Sequence, residues 1–405
     1  MQTIPRLSLI ICARNDRHMG NFRWRFETAL NYLAANLEHL GRLNEVEVVV
    51  TDWSSEVPLH AVLSLNSPAK QILRFILVPL ALAQELQGDS KFPIVLAQNI
   101  AVRRSRGEYI AQTDSDILFT LEFLKKLFEI LDGHRTIGVP LDGSLLVSKR
   151  RKVPWWYVIR QPKISELDWF IQRFEDVFQL ADMFFVDNLG IYTATGFVLM
   201  HRELWEEFQG YDERLVHMGW MDVDLVLRVT RKYPWIYLEK AGLPEVFHME
   251  HDSPWIFGRR TRKRNPEIQN NSYSPNDKNW GLAIHPLEIF VYPNVATDVE
   301  ELTDTELRPS DSNYAHFLLT AQVYLWRGLR CVKHAMSVFL HRLLPGRLHS
   351  FLSLWINRAI TLWCTILGQP INRWPSLIHK RWVNRQVKSW WPKNYPGKEQ
   401  TKRYE

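Results

Sequence analysis

Asp114-Ser115-Asp116 sets two carboxylates one residue apart, directly after the short apolar run Tyr109 to Gln112. Two hard oxygen ligands at that spacing can hold Mg²⁺ or Mn²⁺, and the ion can in turn neutralise a diphosphate. The plainer alternative is a solvated acidic turn. Gly219-Trp220-Met221-Asp222-Val223-Asp224-Leu225 carries a second acidic pair near a helix start. There the acids either complement the helix dipole, or Asp222 takes a proton from a hydroxyl as a general base. His248-Met249-Glu250-His251 offers two imidazoles three residues apart. On a strand an odd offset sends them to opposite faces, so one of the two is expected to reach a metal. The run from Arg259 to Arg264 is either a solvated basic loop or a clamp for a diphosphate, with Arg260 and Arg262 as candidates.

These groups need a frame to bring them together. Leu7 to Cys12, Val46 to Thr51, Gln71 to Val78 and Tyr109 to Gln112 read as short, buried, β-rich runs. Between them, Phe26 to Leu40 follows a helical stripe ending at Gly41, and Ile94 to Arg106 reads as a helix stopped by Gly107. Alternating strands and helices predict an α/β fold, a mostly parallel sheet with helices on both faces. Ligands in such sheets bind beyond the carboxyl ends of the strands. Three predicted strand ends carry polar groups that would meet there: Arg14-Asn15-Asp16, Asp52-Trp53-Ser54 and Asp114-Ser115-Asp116. Asp52 suits either turn formation or a hydrogen bond from a nucleoside, and Asp16 reads as an N-cap for the next helix.

The chain has 405 residues, of which 46% are hydrophobic, enough for one large core or two ordinary ones. Three scattered cysteines exclude a disulfide framework and a zinc site, and they fit a reducing compartment. Charge is distributed unevenly. Residues 321–405 hold 15 Lys and Arg against 2 Asp and Glu, whereas the preceding part holds 35 against 42. Seven tryptophans (Trp326, Trp355, Trp363, Trp374, Trp382, Trp390, Trp391) interleave with that basic tail, and it has no apolar stretch long enough to span a bilayer. Either the tail is a helical subdomain, or it lies on an anionic membrane surface with Trp at the interface. RNA binding is the rival from another class.

The ordered motifs resemble family 2 glycosyltransferases of the GT-A fold. Leu9-Ile10-Ile11-Cys12-Ala13-Arg14-Asn15 is similar to their first strand, and Val48-Val49-Val50-Thr51-Asp52-Trp53-Ser54-Ser55 to their second. Ala97-Gln98-Asn99, Arg106-Gly107-Glu108-Tyr109-Ile110 and Asp114-Ser115-Asp116 follow the family order. So do Thr195-Gly196-Phe197, Gly210-Tyr211-Asp212-Glu213 and Trp220 to Leu225, a segment shared with β-1,4-galactosyltransferases and chondroitin-type polymerases. The departures are Trp53 for Gly, Gln98 for Arg and Met221 for Glu.

The resemblance implies a nucleotide-sugar site of Ala13, Arg14, Asn15, Asp52, Asn99, Asp114 and Ser115. It implies a metal (Mn²⁺ or Mg²⁺) on Asp116, Asp114 and His251. Asp222 is then the catalytic base, and Gly196, Trp220 and Asp224 face sugar or acceptor. The expected domains are 1–118 for the nucleotide sugar, 119–300 for acceptor and catalysis, and 301–405 for the basic tail. The expected activity is inverting transfer from a nucleotide-diphosphate sugar, with a UDP-linked donor expected, to a hydroxyl of a glycan or lipid-linked acceptor. The expected location is cytoplasmic, at the inner face of a membrane. A catalytically silent sugar- or nucleotide-binding relative and an RNA-binding protein are the alternatives.

Overall fold

The computed structural model describes residues 4–293 except 17–19, 159, 175–178, 181–184, 187–190, 193–195, 218, 220, 252–264 and 266–273. In chain order the strands are β1 (Leu7–Ala13), β2 (Val46–Trp53), β3 (Leu73–Val78), β4 (Tyr109–Thr113), β5 (Ile117–Leu118), β6 (Leu145–Ser148), β7 (Arg150–Val153), β8 (Gln179–Leu180), β9 (Phe185–Val186), β10 (Ile191–Tyr192), β11 (Phe197–His201), β12 (Trp235–Tyr237), β13 (Val246–Met249) and β14 (Glu288–Val291). Eight of them form the main sheet, in the order β12-β6-β11-β4-β1-β2-β3-β14. The neighbours β4-β1-β2-β3 and β12-β6 are parallel, while β11 and β14 run antiparallel to theirs. A small sheet of order β5-β13-β7-β8 and the hairpin β9-β10 complete the strands among the described residues.

The period of two along each strand feeds two cores, one on each face. Leu7, Leu9 and Ile11 of β1 join Val48 and Val50 of β2, and pack on Phe26, Leu30 and Leu33 of the helix Phe22–His39 and Phe123 and Leu127 of the helix Leu121–Leu131. Ile10, Val49 and Trp53 face the other way, onto Val95 and Ile100 of the helix Ile94–Arg104, with Trp205 and Val226. This is the expected α/β architecture, a mostly parallel sheet with helices on both faces. Trp53, where the resembled family has Gly, fills this second core and is fully buried.

The sheet takes strands from both sides of residue 118. By their contacts the residues fall into two units. One carries the eight-stranded sheet. The other includes the helices Trp155–Val158 and Ile164–Phe174, where Tyr157 stacks on Phe170 with ring centroids 4.0 Å apart. Among the described residues no helix is long and apolar enough to cross a membrane.

Two local readings change. The run from Gln71 does not start a strand: Ser67–Ile72 is helical, because the Asn66 side chain accepts from the Ala69 N–H (2.9 Å) and Pro68 presets the first turn. Asp16 is not an N-cap; it pairs with Arg14 at 2.7 Å, and the next helix begins after Asn21. At the amino end of the sheet, Glu47 is buried and accepts from Ser8 Oγ (2.6 Å), Arg74 Nη1 (2.7 Å) and Arg106 Nε (2.9 Å). Burial alone would raise its carboxyl, but these donors outweigh it and hold the group below the usual carboxylate range.

Candidate active site at the carboxyl end of the sheet

Because β1, β2 and β4 are parallel neighbours, Ala13, Asp52 and Thr113 end on one edge of the sheet. Thr113 Oγ1 donates to the Gly196 carbonyl (2.9 Å), and the chain then turns through Asp114 and Ser115 into β5. Asp116 is buried, Asp114 and Ser115 half-buried. The helix Phe22–His39 braces the turn twice. Arg25 Nε lies 3.1 Å from Asp116 Oδ2, and Asn36 donates to the Phe119 carbonyl (2.9 Å).

On its other oxygen, Asp116 Oδ1 faces His248 Nε2 at 3.3 Å. Asp116, His248 and His251 each offer one ligand atom, and the three atoms lie within 4.8 Å of one another. The alternation expected between the two histidines fails for a simple reason. β13 ends at Met249, so His251 lies past the strand and is not bound to its opposite face. One carboxylate oxygen and two imidazoles fit a first-row divalent ion better than Mg²⁺, which prefers an all-oxygen octahedron. Arg25 adds a fixed positive charge beside them, which suits an anionic ligand. Asp114 is not in this group; its carboxylate pairs with Arg150 of β7.

Asp222 opens the helix Met221–Thr230 and is half-buried. Burial, and then the charge of Asp114, push its carboxyl up to about 7, with Arg150 opposing. Cys12, also half-buried, is pushed up to about 12 by burial, Asp114 and Asp222. It is therefore a neutral thiol at physiological pH and no nucleophile. The fully buried Tyr211 hydroxyl is raised by burial and by the same two acids. Asp114, Asp222, Arg150, Cys12 and Tyr211 thus share one electrostatic neighbourhood. A carboxyl poised near neutrality beside a carboxylate and a guanidinium can exchange protons with a hydroxyl.

Several expected ligand-facing residues are instead engaged by the chain itself. Asn99, fully buried, accepts from the Tyr211 N–H (2.8 Å) and donates to the Tyr211 carbonyl (2.8 Å) and to Glu213 Oε1 (3.0 Å). It clamps the turn at 210–213. Gly210 has φ +64°, and a Cβ there would come within 2.3 Å of Asn99 Oδ1, so the turn requires glycine. Asp224 forms a buried ion pair with Arg228 (2.8 Å), whose other donors reach the Phe208 (2.9 Å) and Gly210 (2.8 Å) carbonyls. Asp52 accepts from the Leu59 N–H (2.7 Å) and from Ser55, and Ser55 Oγ accepts from the Asn15 N–H (2.7 Å). Asn15 also donates to the Val57 carbonyl (2.8 Å), and Arg14 to that of Lys91 (2.7 Å). These residues shape the strand-end loops. Gly196 is needed for packing: a Cβ there would meet Val246 Cγ2 at 2.6 Å and Arg150 Cβ at 3.0 Å.

Trp220, Arg260, Arg262 and the basic tail lie outside the described residues. Sequence reasoning missed Arg25, Arg150 and the participation of His248. Arg25 sits on the inner face of an amphipathic helix, which marks a buried charge in need of a partner; Arg150, one of several basic residues in a row, carries no such signal.

No protein-family model matches the chain, and no curated protein does. Among solved structures it is similar to S. aureus TarS residues 1–349, at 17% identity over 60% of this chain and 60% of that one, with a TM-score of 0.37. A longer S. aureus TarS structure matches at 16% identity over 60% of this chain and 37% of that one, TM-score 0.37. The 1–349 structure in complex with UDP-GlcNAc matches at 17% identity over 61% and 59%, TM-score 0.35. The chain thus spans less than two thirds of each of these structures.

Proposed function

We propose that the chain is an inverting glycosyltransferase of the GT-A type that transfers a sugar from a UDP-linked donor to a hydroxyl of a glycan or lipid-linked acceptor. The observation that carries this reading is the Asp114–Asp116 turn. It sets Asp116 against two histidines on one side and Asp114 within electrostatic reach of Asp222 on the other. A single strand end therefore serves both a cation group and a proton acceptor, the two components that displacement of a diphosphate by an alcohol requires.

Asp116, His248 and His251 would hold a divalent ion, Mn²⁺ in preference to Mg²⁺, which when bound screens the charge on the departing diphosphate. Arg25 keeps Asp116 in place for that role. Asp114 faces the ribose side of the donor. Asp222 accepts the proton of the attacking hydroxyl, and its raised carboxyl matches the task near neutral pH. The basic, Trp-rich segment 301–405 would rest on an anionic membrane surface, so the 405-residue chain should float with anionic liposomes and residues 1–310 alone should not.

The test is calorimetric binding of UDP-sugars with and without Mn²⁺, followed by product analysis with sugar-acceptor mixtures. Mn²⁺-dependent donor binding, lost in Asp116→Ala, is expected. Donor binding that ignores both the ion and the substitution would refute the assignment.

A further inference from the structure

Arg103, Arg202 and Trp280 meet at the end of the sheet opposite the acidic turn. The helix Ile94–Arg104 stops just before β4 begins. β11 runs antiparallel to β4 with His201 beside Tyr109, so the helix Arg202–Glu207 opens at the same place. Here lies a cavity of about 310 Å³, lined by the buried Val102, Ile110 and Trp280 and by Arg103, Arg202 and Glu206. Ile110 and Thr113 are three residues apart on β4, which puts the cavity about 10 Å from the start of the acidic turn. Its walls are fixed. Arg104 donates to the carbonyls of Gly281 (2.6 Å), Leu282 (2.7 Å) and His285 (3.0 Å), tying the turn that bears Trp280 to the helix. On the other side Arg202 donates to the carbonyls of Ser105 (3.0 Å) and Gly107, and Trp205 Nε1 to that of Ile110 (3.0 Å).

The charge around this cavity is unbalanced. Among the described residues neither Arg103 nor Arg202 pairs with a carboxylate. Arg103 lies over the Trp280 ring, 4.9 Å from its centre. Burial, and then the charge of Arg103, hold the neighbouring Arg104 guanidinium below its usual range. Basic residues in the last turn of a helix complement its dipole, which accounts for Arg103 and Arg104. It does not account for Arg202, which opens a helix, the end that disfavours a cation. Two guanidinium groups at one cavity, with N–H donors beyond those the chain uses, suit an acidic group. Glu206 repels a plain anion and accepts from hydroxyls, so it selects an acid that carries them. The volume lies at the lower end of small-molecule sites, about 300–1,000 Å³, which fits one ring and not a nucleotide sugar. We infer that this cavity binds an acidic monosaccharide, a sugar ring bearing a phosphate or a carboxylate. The acid sits between Arg103 and Arg202, with hydroxyls towards Glu206. The site is separate from the nucleotide-sugar site proposed above and does not depend on it.

Calorimetry on the 405-residue chain in EDTA tests this with glucose 6-phosphate, glucuronate, glucose and inorganic phosphate. At least one of the two acid sugars should bind, and which one does tells phosphate from carboxylate. Glucose should give no binding heat, and inorganic phosphate should bind at least about tenfold more weakly than the acid sugar. Arg103→Met should weaken the acid sugar by about 10- to 100-fold, the loss of a charge-assisted hydrogen bond. Glu206→Gln should bind inorganic phosphate more tightly and prefer the sugar less. Arg103 and Glu206 are both exposed, so neither substitution disturbs the core. Absence of saturable binding by both acid sugars would overturn the inference. So would an affinity unchanged in Arg103→Met, or inorganic phosphate binding as tightly as the sugar. Displacement of the acid sugar by UDP in Mn²⁺ would also overturn it, by placing the ligand at the other end of the sheet.

Discussion

Replacing Asp222 with Asn should make the protein more stable and almost inactive, and both effects follow from one number. The carboxyl is pushed up to about 7, chiefly by burial and next by Asp114. Below about pH 4 it is protonated in folded and unfolded chains alike and contributes nothing. Between about pH 4 and pH 7 the unfolded chain ionises and the folded one does not, so stability falls as pH rises; above 7 the loss is constant. At about 1.4 kcal/mol per tenfold, the full cost is about 4.5 kcal/mol; water around the half-buried side chain reduces this to about 2–4 kcal/mol. Asn is nearly isosteric and carries no charge. Urea unfolding in EDTA at pH 4.5 and pH 8 should therefore show Asp222→Asn gaining on the natural protein by that amount across the interval. Turnover should drop by about 10²- to 10⁴-fold, with donor affinity retained, as loss of a general base implies. If Asp222 is the base, the rate of the natural protein should rise with pH through about 7 as its carboxyl ionises. A variant whose advantage does not change with pH would show the carboxyl to be ordinary, and one that turns over normally would remove Asp222 as the base.

Three further outcomes are expected. His248→Ala should weaken Mn²⁺ binding as much as His251→Ala does, about 10-fold or more, read by Mn²⁺ electron paramagnetic resonance; a silent His248 would reduce the cation group to Asp116 and His251. Asn99→Ala removes the three bonds that hold the 210–213 turn and should cost about 2–4 kcal/mol in chemical unfolding, with donor affinity in the remaining folded protein unchanged; a selective loss of donor affinity would return Asn99 to the ligand. Glu47→Gln leaves Arg74 and Arg106 short of a counter-charge and should destabilise the protein by about 3–5 kcal/mol at pH 7. Because its carboxyl is held low, that contribution is present above the usual carboxylate range and fades as pH falls through the folded-state value, so the two proteins should converge in acid.

Much of this site can be read from local pattern. Short apolar runs ending in Asp or Asn gave β1, β2 and β4, and parallel pairing then placed their carboxyl ends together. Asp222 at a helix start and Asp116 after a buried strand needed nothing further. What stayed hidden depends on partners distant in the chain. Asn99 looks like a ligand-facing amide until the turn at 211 closes on it, 112 residues later. Arg25 and Asp116 are 91 residues apart, and only the packing of one helix on the sheet joins them. His248 was misjudged because periodicity says which way side chains alternate but not where a strand stops. Arg150 is one of five basic residues between Lys149 and Arg160, and nothing in its neighbours singles it out.

The Asn99–Gly210 clamp has a consequence for how this protein can vary over generations. The amide occupies the space where any side chain at 210 would begin, and the backbone it grips leads on towards the helix that carries Asp222. A mutation at either position alone meets an immediate penalty, from a lost clamp or from a collision. The left-handed backbone at 210 persists even when the amide is gone, so lineages that change position 99 should still be found to keep glycine at 210.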